Sequence, residues 1–265
     1  MNLDLPALRA LAERAARDAG VAALKTFGGA HDEVTKANAF DIVTEGDKAS
    51  EAAIVPVLAA SGFPIHSEEG GGEIFDAPYA WHVDPIDGTT NYANNLPHFS
   101  ISIALADPDL RPQVGVVYNP VTNEMFSAAR GGGATLNGQP IHVSNAETLG
   151  LSLIASGFPT GRRTLRSGNN VDSFLAVLNR VRDMRRLGSA ALELSFVACG
   201  RLEAFWDAGM HSWDVQAGLL IVEEAGGRAT DFDGGTTRLY TGNQVVVSNG
   251  CIHDELLTTI NAARR

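Results

Sequence analysis

The sequence predicts an α/β fold, which some schemes place among the α+β folds. Along the 265 residues, segments with helical spacing of apolar side chains alternate with short strand-like segments. Residues 98–136 differ, because several strand patterns follow one another with turn residues between them, as in an antiparallel meander. We therefore expect helices covering mixed or antiparallel sheets. They would form a single unit over residues 1–265, with halves at about 1–145 and 146–265.

The first half begins with two predicted helices and continues mainly with strands. The first helix spans residues 3–26 and stops near Gly28, and the second spans 46–60, where Pro56 indicates a kink or a boundary. A short strand and a glycine loop are expected over 63–72. Further strands are expected at 100–105, 113–118 and 124–129, followed by a hairpin or bulge at the triple glycine 131–133.

In the second half, strands and helices alternate more regularly. The patterns predict strands at 151–156, 184–188 and 244–249, and helices at 170–183, 189–200 and about 252–262. Another strand ends near Asp207, and Ser212 is expected to cap a helix that ends at Gly226. Gly200 is the expected residue beyond the C-terminus of the 189–200 helix.

The charge balance disfavours direct binding of nucleic acid. The chain has 20 basic and 31 acidic residues, a formal net charge of −11. No basic cluster is longer than a pair such as Arg162-Arg163 or Arg185-Arg186, whereas a nucleic-acid groove needs a concentrated positive face. An acidic protein that acts on phosphates would need added positive charge, and a bound metal is the simplest source.

The compartment expected from the sequence is the cytoplasm. Charges such as Arg9 and Glu13 interrupt any signal-peptide core, and no apolar run reaches the roughly 20 residues of a membrane span. Cys199 and Cys251 are isolated, so they form neither a disulfide framework nor a zinc motif, although a single bridge between them stays open.

The most informative stretch is WHVDPIDGTTNY, residues 81–92. A buried strand is expected to end there in a type I turn built on Pro85, which brings Asp84, Asp87 and the Ile86 carbonyl together. Such hard oxygen ligands suit Mg²⁺ or Mn²⁺ better than zinc. Residues 88–91 follow as a helix start, whose free N–H groups favour an anion. The alternative is an ordinary surface turn, so further ligands must come from elsewhere in the chain.

Two other segments supply candidate partners for these carboxylates. Glu68 stands at the end of the strand in 63–72, where open α/β sheets place their ligands, although acids at loop starts are usually only solvated. Asp214 lies in the first turn of a helix, where an acid often does no more than complement the helix dipole. Either interpretation stays open for each residue taken alone.

Taken together, these segments resemble the inositol monophosphatase family of Mg²⁺-dependent, lithium-sensitive phosphatases. The resemblance runs from Lys36 to the last strand. Its motifs, in order, are DIVTEGD at 41–47, SEEG at 67–70, WHVDPIDGTTNY at 81–92, RRLGSAAL at 185–192 and HSWDVQAGLLIVEEAGG at 211–227. It implies alternating α-β-α-β-α layers, with the N-terminal half binding metal and the C-terminal half facing the substrate, usually in a homodimer.

The resemblance also implies the ligand set, residue by residue. Glu68, Asp84 and the Ile86 carbonyl would hold a first metal, and Asp84, Asp87 and Asp214 a second. A weaker third metal would depend on Glu68, with Asp47 nearby. Mg²⁺ is the implied ion, Mn²⁺ a substitute, and Li⁺ an inhibitor acting at the second site.

The implied reaction is hydrolysis of a phosphate monoester by a metal-activated water. Gly88 and Thr89 would bind the phosphate through backbone N–H groups, while Thr89, bonded to Asp47, orients the water with help from Glu68. The alcohol part of the substrate would lie against Asp87, Gly188, Ser189, Ala190, Asp207 and His211. Inositol-preferring members commonly carry Glu at the position of Asp207, which leaves the sugar contact open, and His211 is alternatively a loop residue satisfied by backbone.

The implied substrate is a small polyol phosphate, with inositol-1-phosphate in first place. The same scaffold also serves histidinol phosphate, fructose 1,6-bisphosphate, NADP and 3′-phosphoadenosine nucleotides. A different class of function is a protein-binding role in the transcription machinery, which some bacterial relatives have. With no basic surface, this role would run through protein contacts rather than nucleic acid. No membrane association is expected.

Overall fold

The computed structural model describes residues 3–29, 34–35, 42–72, 77–158 and 170–264. Lys36 and Asp41, near the start of the resemblance, lie outside the described residues, as do Arg162 and Arg163. The helices of the described part are α1 Leu5–Leu24, α2 Glu45–Leu58, α3 Thr89–Ala93, α4 Val171–Leu178, α5 Ala190–Ala198, α6 Ser212–Glu224 and α7 His253–Ala263.

The strands form two large sheets and one small ribbon. The first-half strands are β1 Val34–Thr35, β2 Ile42–Val43, β3 Ile65–Ser67, β4 Ala80–Asp87, β5 Ser100–Ala106, β6 Pro112–Asn119, β7 Glu124–Ala129, β8 Ala134–Leu136 and β9 Gln139–Pro140. The second-half strands are β10 Leu153–Ser156, β11 Asp183–Arg185, β12 Ala204–Ala208, β13 Arg228–Thr230 and β14 Gln244–Ser248. Strands β1 and β2 pair with each other.

The larger sheet contains the expected meander. Its order is β3-β4-β5-β6-β7-β8-β9, with β3 parallel to β4 and every later pair antiparallel. The second sheet has the order β11-β10-β12-β14-β13, in which β10 is parallel to both of its neighbours and the other pairs are antiparallel. Both large sheets are therefore mixed, and the α/β class expected from the sequence is confirmed.

In the described part of the chain, apolar clusters fill the spaces between five layers. On one face of the larger sheet, the alanine stripe of α1 and the residues Ile54 and Leu58 of α2 pack on Ile101 and Ile103. Because side chains alternate along a strand, Ala104 points to the opposite face and joins α5, α6 and the second sheet. Helices α4 and α7 cover the far face of that second sheet. The layer order is therefore α-β-α-β-α, as the resemblance implied.

Several element boundaries differ from those expected. Helix α2 begins at Glu45, because Thr44 caps it, and continues through Pro56 to Leu58. Helix α4 stops at Leu178 rather than 183, because residue 183 already pairs with β10 as part of β11. The β10 strand starts at Leu153 after a short 3₁₀ turn. Gly200 adopts a positive φ of 74° just beyond α5, as predicted.

Candidate active site

Strand β4 carries the central pair of acids. Contrary to the expected type I turn, residues 84–87 continue β4, and the pairing with β5 shifts register between Asp84 and Asp87. This irregularity acts as a bulge, which redirects side chains at the end of a strand. Within it the Ile86 N–H donates to Asp84 Oδ1 at 3.0 Å. The bulge, rather than a turn, therefore sets the directions of both aspartates at the C-terminal end of β4.

Three carboxylates from separate elements meet beside this bulge. Glu68 directly follows β3, and its N–H donates to the Val83 carbonyl at 3.0 Å. Asp214 lies in the first turn of α6, where its Oδ2 accepts the His211 N–H at 2.7 Å. One oxygen each from Glu68, Asp84 and Asp214 lie within 4.8 Å of one another. The structure thus brings together three of the predicted metal ligands.

Asp87 faces the start of α5 instead of joining that group. Its Oδ2 accepts from Ser189 Oγ at 2.5 Å and from the Ala191 N–H at 2.8 Å, and its Oδ1 accepts from the Ala190 N–H at 3.2 Å. Backbone N–H groups at a helix start lack partners within the helix and attract negative charge. Ser189, predicted to contact substrate, is fully buried and serves here to hold Asp87.

The predicted contact between Thr89 and Asp47 is present. Thr89 Oγ1 lies 3.3 Å from Asp47 Oδ1 and 3.1 Å from the Ile86 carbonyl, so the hydroxyl has two possible acceptors. Asp47 is buried and fixed from the other side, because its Oδ2 accepts the N–H of Thr44 at 2.8 Å and its hydroxyl at 2.7 Å. The capping box of α2 therefore holds the carboxylate against the site.

Burial and mutual repulsion disfavour ionisation of these acids. Burial, followed by the charges of Glu68, Asp87 and Asp214, raises the pKa of Asp84 well above its usual range. Burial and Glu68 likewise raise the pKa of Asp214. Burial raises the pKa of Asp87 to about 6, and the hydrogen bonds from Ser189 and the start of α5 limit that rise. A cation bound among the acids would favour the ionised forms of Asp84, Asp87 and Asp214.

The donor set fits a hard divalent cation. Carboxylate oxygens and the neighbouring Ile86 carbonyl are the ligands that Mg²⁺ and Mn²⁺ prefer. His82 on β4 is not a candidate ligand, because it is buried and its Nδ1 lies 3.0 Å from Ser212 Oγ. Burial lowers the pKa of His82 to about 4. Ser212 is the first residue of α6, and its hydroxyl contacts His82. The prediction that Ser212 caps this helix was wrong, because His211 occupies the N-cap position.

The acids line a cavity of about 250 Å³. Its wall contains all the predicted metal and phosphate residues and, from the predicted alcohol side, Gly188, Ala190, Asp207 and His211. The predicted catalytic residue Asp47 does not line it. His211 is exposed and stacks on Trp213, with ring centroids 4.7 Å apart. Burial raises the pKa of Asp207 to about 7, which the nearby Arg186 partly offsets.

The sequence analysis missed several residues of this wall. Glu193 is 2% exposed and accepts the Leu187 N–H at 2.8 Å, and burial raises its pKa to about 8. Arg186 is the only lysine or arginine among the described residues that line the cavity. Phe158 and Met210 add apolar surface. For Glu193, the sequence offered one signal: an acid stands within the apolar pattern of α5. Acidic side chains are rarely buried without a partner or a role.

Acidic residues gathered in a cavity at the ends of strands from two mixed sheets form a candidate metal site. Comparison with known proteins identifies the family: residues 4–265 match the model of the inositol monophosphatase family. The chain therefore belongs to this family, which supports a phosphatase-type hydrolase.

Individual relatives carry two kinds of name. The chain is 40% identical over 264 residues to "Inositol-1-monophosphatase" of Synechocystis, covering 98% of this chain and 90% of that protein. It is 41% identical over 240 residues to "Nus factor SuhB" of Escherichia coli K12, covering 89% of each. Among solved structures, the inositol monophosphatase from Anabaena (Nostoc) superposes with a TM-score of 0.88 at 37% identity, covering 98% of each chain.

Proposed function

We propose that the protein hydrolyses a small phosphate monoester in a Mg²⁺-dependent reaction, with inositol-1-phosphate as the leading substrate. The observation that carries this proposal is the convergence of Glu68, Asp84 and Asp214 within 4.8 Å in a cavity also lined by Gly88 and Thr89. In this proposal these three acids, with Asp87 and the Ile86 carbonyl, hold two ions, and a third ion depends on Glu68. Bound divalent ions would neutralise phosphate charge and make water a stronger nucleophile.

Thr89 and Asp47 would orient the attacking water. Thr89 Oγ1 has only one proton, and its two hydrogen-bond partners among the described residues, Asp47 Oδ1 and the Ile86 carbonyl, are both acceptors. Its lone pairs therefore remain free to accept a hydrogen bond from a water molecule. Glu68 would help to orient the same water. Backbone N–H groups of Gly88 and Thr89 would bind the phosphate.

The alcohol part of the substrate would lie on the side of Asp207 and His211. Asp207 supplies a carboxylate that can accept hydrogen bonds from hydroxyl groups, and the backbone of Gly188 and Ala190 forms the adjoining wall. Asp87 would contribute from the metal side. A wall that combines buried carboxyl groups with the guanidinium of Arg186 suits a hydroxyl-rich alcohol better than an apolar one.

A panel of phosphate-release assays tests the proposal. The substrates are inositol-1-phosphate, fructose 1,6-bisphosphate, histidinol phosphate, NADP and 3′-phosphoadenosine 5′-phosphate, each with Mg²⁺, with Mn²⁺ and with chelator. We expect turnover that needs the metal, favours the inositol ester and falls when Li⁺ is added. A much higher activity on another ester would mean that this ester, and not inositol-1-phosphate, is the preferred substrate. Full activity of Asp87→Asn at saturating Mg²⁺ would refute the metal assignment.

The names of the relatives favour a second candidate, a protein-binding regulatory role in transcription. The chain is 41% identical to proteins named Nus factor SuhB. Retrieval of stoichiometric RNA polymerase components by the tagged protein from cells of its source would support this role. If Asp87→Asn retrieved the same components while losing turnover, binding and catalysis would be independent.

Two further features belong to the proposal. We infer a homodimer, as the family resemblance implies, which light scattering in solution would test. We also infer a cytoplasmic location, in keeping with free thiols at Cys199 and Cys251. Among the described residues, no helix is both long and apolar enough to cross a membrane.

A further inference from the structure

Asn170 occupies a helix-start position without doing what that position usually requires. It is the N-cap residue of α4, where an asparagine side chain normally accepts a backbone N–H of the first turn. Here the Asn170 side chain makes no such capping bond. The residue is 4% exposed and has a φ of 65°, a conformation that asparagine tolerates better than most residues. Its amide is therefore available for another task.

The amide group faces the cavity wall. Asn170 Nδ2 donates to Asp207 Oδ1 at 3.0 Å and to the Gly157 carbonyl at 3.0 Å. A peptide carbonyl is always an acceptor, so the NH₂ end of the amide must point towards this pair. Both Gly157 and Asp207 line the cavity, whereas Asn170 stands behind them. Asn170 thus links the end of β10 to the end of β12.

These contacts leave one oxygen of Asp207 for a ligand. Oδ1 accepts both from Asn170 and from the Ala208 N–H, at 2.6 Å. Oδ2 accepts no hydrogen bond from the residues that the structure describes, and it lies against Gly157, where an added Cβ would come within 1.8 Å of it. A glycine at 157 is therefore required for this carboxylate position. Among the described residues, the Asp207 carboxylate is therefore held at Oδ1 and accepts nothing at Oδ2.

We propose that Asn170 is a positioning residue that selects hydroxyl-rich phosphate esters by holding Asp207 Oδ2 towards the alcohol part of the substrate. This inference rests on the proposed phosphatase function. A buried acceptor placed for a substrate hydroxyl stays unsatisfied when the substrate lacks that hydroxyl, and this difference discriminates between substrates. Without Asn170, the Asp207 side chain could rotate, and the discrimination would weaken.

The test compares Asn170→Gly with the wild type on two esters. Glycine keeps the positive φ at no steric cost and removes the amide. We expect KM for inositol-1-phosphate to rise roughly tenfold with kcat within about twofold, because a hydrogen bond to a charged group acts on substrate binding. KM for p-nitrophenyl phosphate, which has no hydroxyl groups, should not change. Asn179→Ala, an exposed asparagine at the other end of α4, is the matched control and should leave both esters unaffected.

A double-mutant cycle with Asp207→Ala separates positioning from mere support of the fold. If Asn170 acts through Asp207, the double variant should be no worse than Asp207→Ala alone on the inositol ester. Additive losses, or equal losses on both esters, would overturn the inference. Asn170→Ala, which also removes the amide, should show the same split in KM and provides a second variant if the glycine variant does not fold.

The possible failures can be told apart. If the wild type hydrolyses neither ester, the proposed function fails and the inference fails with it. If it hydrolyses both and Asp207→Ala raises KM only for the inositol ester, while Asn170→Gly does not, the function stands and the role of Asn170 is refuted.

Discussion

Glu68, Asp84 and Asp214 hold negative charge in a place where water cannot fully solvate it. Their oxygens lie within 4.8 Å of one another, and burial raises the pKa of both Asp84 and Asp214. A raised pKa means that the ionised carboxylates destabilise the folded state relative to the unfolded one. This penalty is present above the folded-state pKa and disappears as the pH falls towards the usual range of a carboxylate. A bound cation would remove it at neutral pH.

Asp214→Asn should therefore stabilise the protein without metal and reduce the stabilisation that Mg²⁺ provides. Without Mg²⁺ we expect the free energy of unfolding to rise by about 1 kcal/mol, because one repelling charge is lost while the amide oxygen can still accept the His211 N–H. The stabilisation by Mg²⁺ should shrink, and phosphate release should fall at least about 100-fold. Thermal unfolding with and without Mg²⁺, together with the phosphate assay, measures both effects.

The matched control is Asp109→Asn, an exposed acid in the β5–β6 turn. It should change neither quantity. A full thermal shift with Mg²⁺ in Asp214→Asn would show that this carboxylate does not hold the ion.

The position of helix α6 is fixed by two close contacts, which lie about one turn beyond Asp214. An added Cβ at Gly115 of β6 would come within 2.6 Å of the Ala217 carbonyl, and one at Gly218 within 2.6 Å of Leu194 Cβ in α5. The helix is therefore held between the larger sheet and α5 at distances that only glycine allows. Because Asp214 stands one turn before Ala217 and Asp87 is bonded to the start of α5, these contacts set the spacing of the acids.

Gly115→Ala is expected to destabilise the protein by on the order of 2 kcal/mol, since the new methyl group meets backbone atoms that cannot rotate away. The displacement of α6 should also weaken the response to Mg²⁺. Urea unfolding and a Mg²⁺ titration of thermal stability measure these effects. Gly150→Ala is the control: its Cβ would lie 4.0 Å from the nearest atom, and its φ is not positive, so it should be neutral. Equal stability of the two variants would contradict this account of the packing.

At the scale of the whole molecule, polar side chains are buried between the five layers together with the apolar clusters. His253 at the start of α7 is fully buried, with Nε2 2.9 Å from Thr230 Oγ1 and Nδ1 3.0 Å from Ser248 Oγ. It ties the outer helix layer to β13 and β14. Burial, followed by the charge of Arg228, lowers the pKa of His253 to about 4.

This shift predicts a loss of stability in mild acid. Below its ordinary pKa the histidine takes up a proton in the unfolded chain but not in the folded protein, so stability falls as the pH drops from about 6.5 towards 4. The expected contribution between pH 7 and pH 5 is about 2 kcal/mol. Urea unfolding across this range should show a weaker pH dependence in His253→Gln than in the wild type. The same slope in both would refute the assignment. The comparison with the variant cancels the opposing effect of the active-site acids.

Local patterns in the sequence determined the class of fold and most of its elements. The 3.6-residue spacing in α1 and the two-residue alternation in β5 depend on which side chains face a core, so they can be recognised without knowing what that core contains. The motifs around Asp84 and Asp214 identified the family, and the comparison with known proteins confirmed it. Predicted element boundaries were wrong where pairing with a strand from another part of the chain determined the local structure. The bulge at 84–87 depends on pairing with β5, and the end of α4 depends on the pairing of β11.

Only the tertiary structure decided how the site is assembled. The sequence indicated which acids are candidates, but not that Asp87 would turn towards α5 while Glu68, Asp84 and Asp214 meet. Apart from the presence of an acid in the apolar pattern of α5, it gave no indication that Glu193 lines the cavity, and none that Asn170 supports Asp207. These positions depend on contacts between residues far apart in the chain. Such contacts leave no periodic pattern, because each is fixed by the packing of whole layers and not by neighbours in sequence.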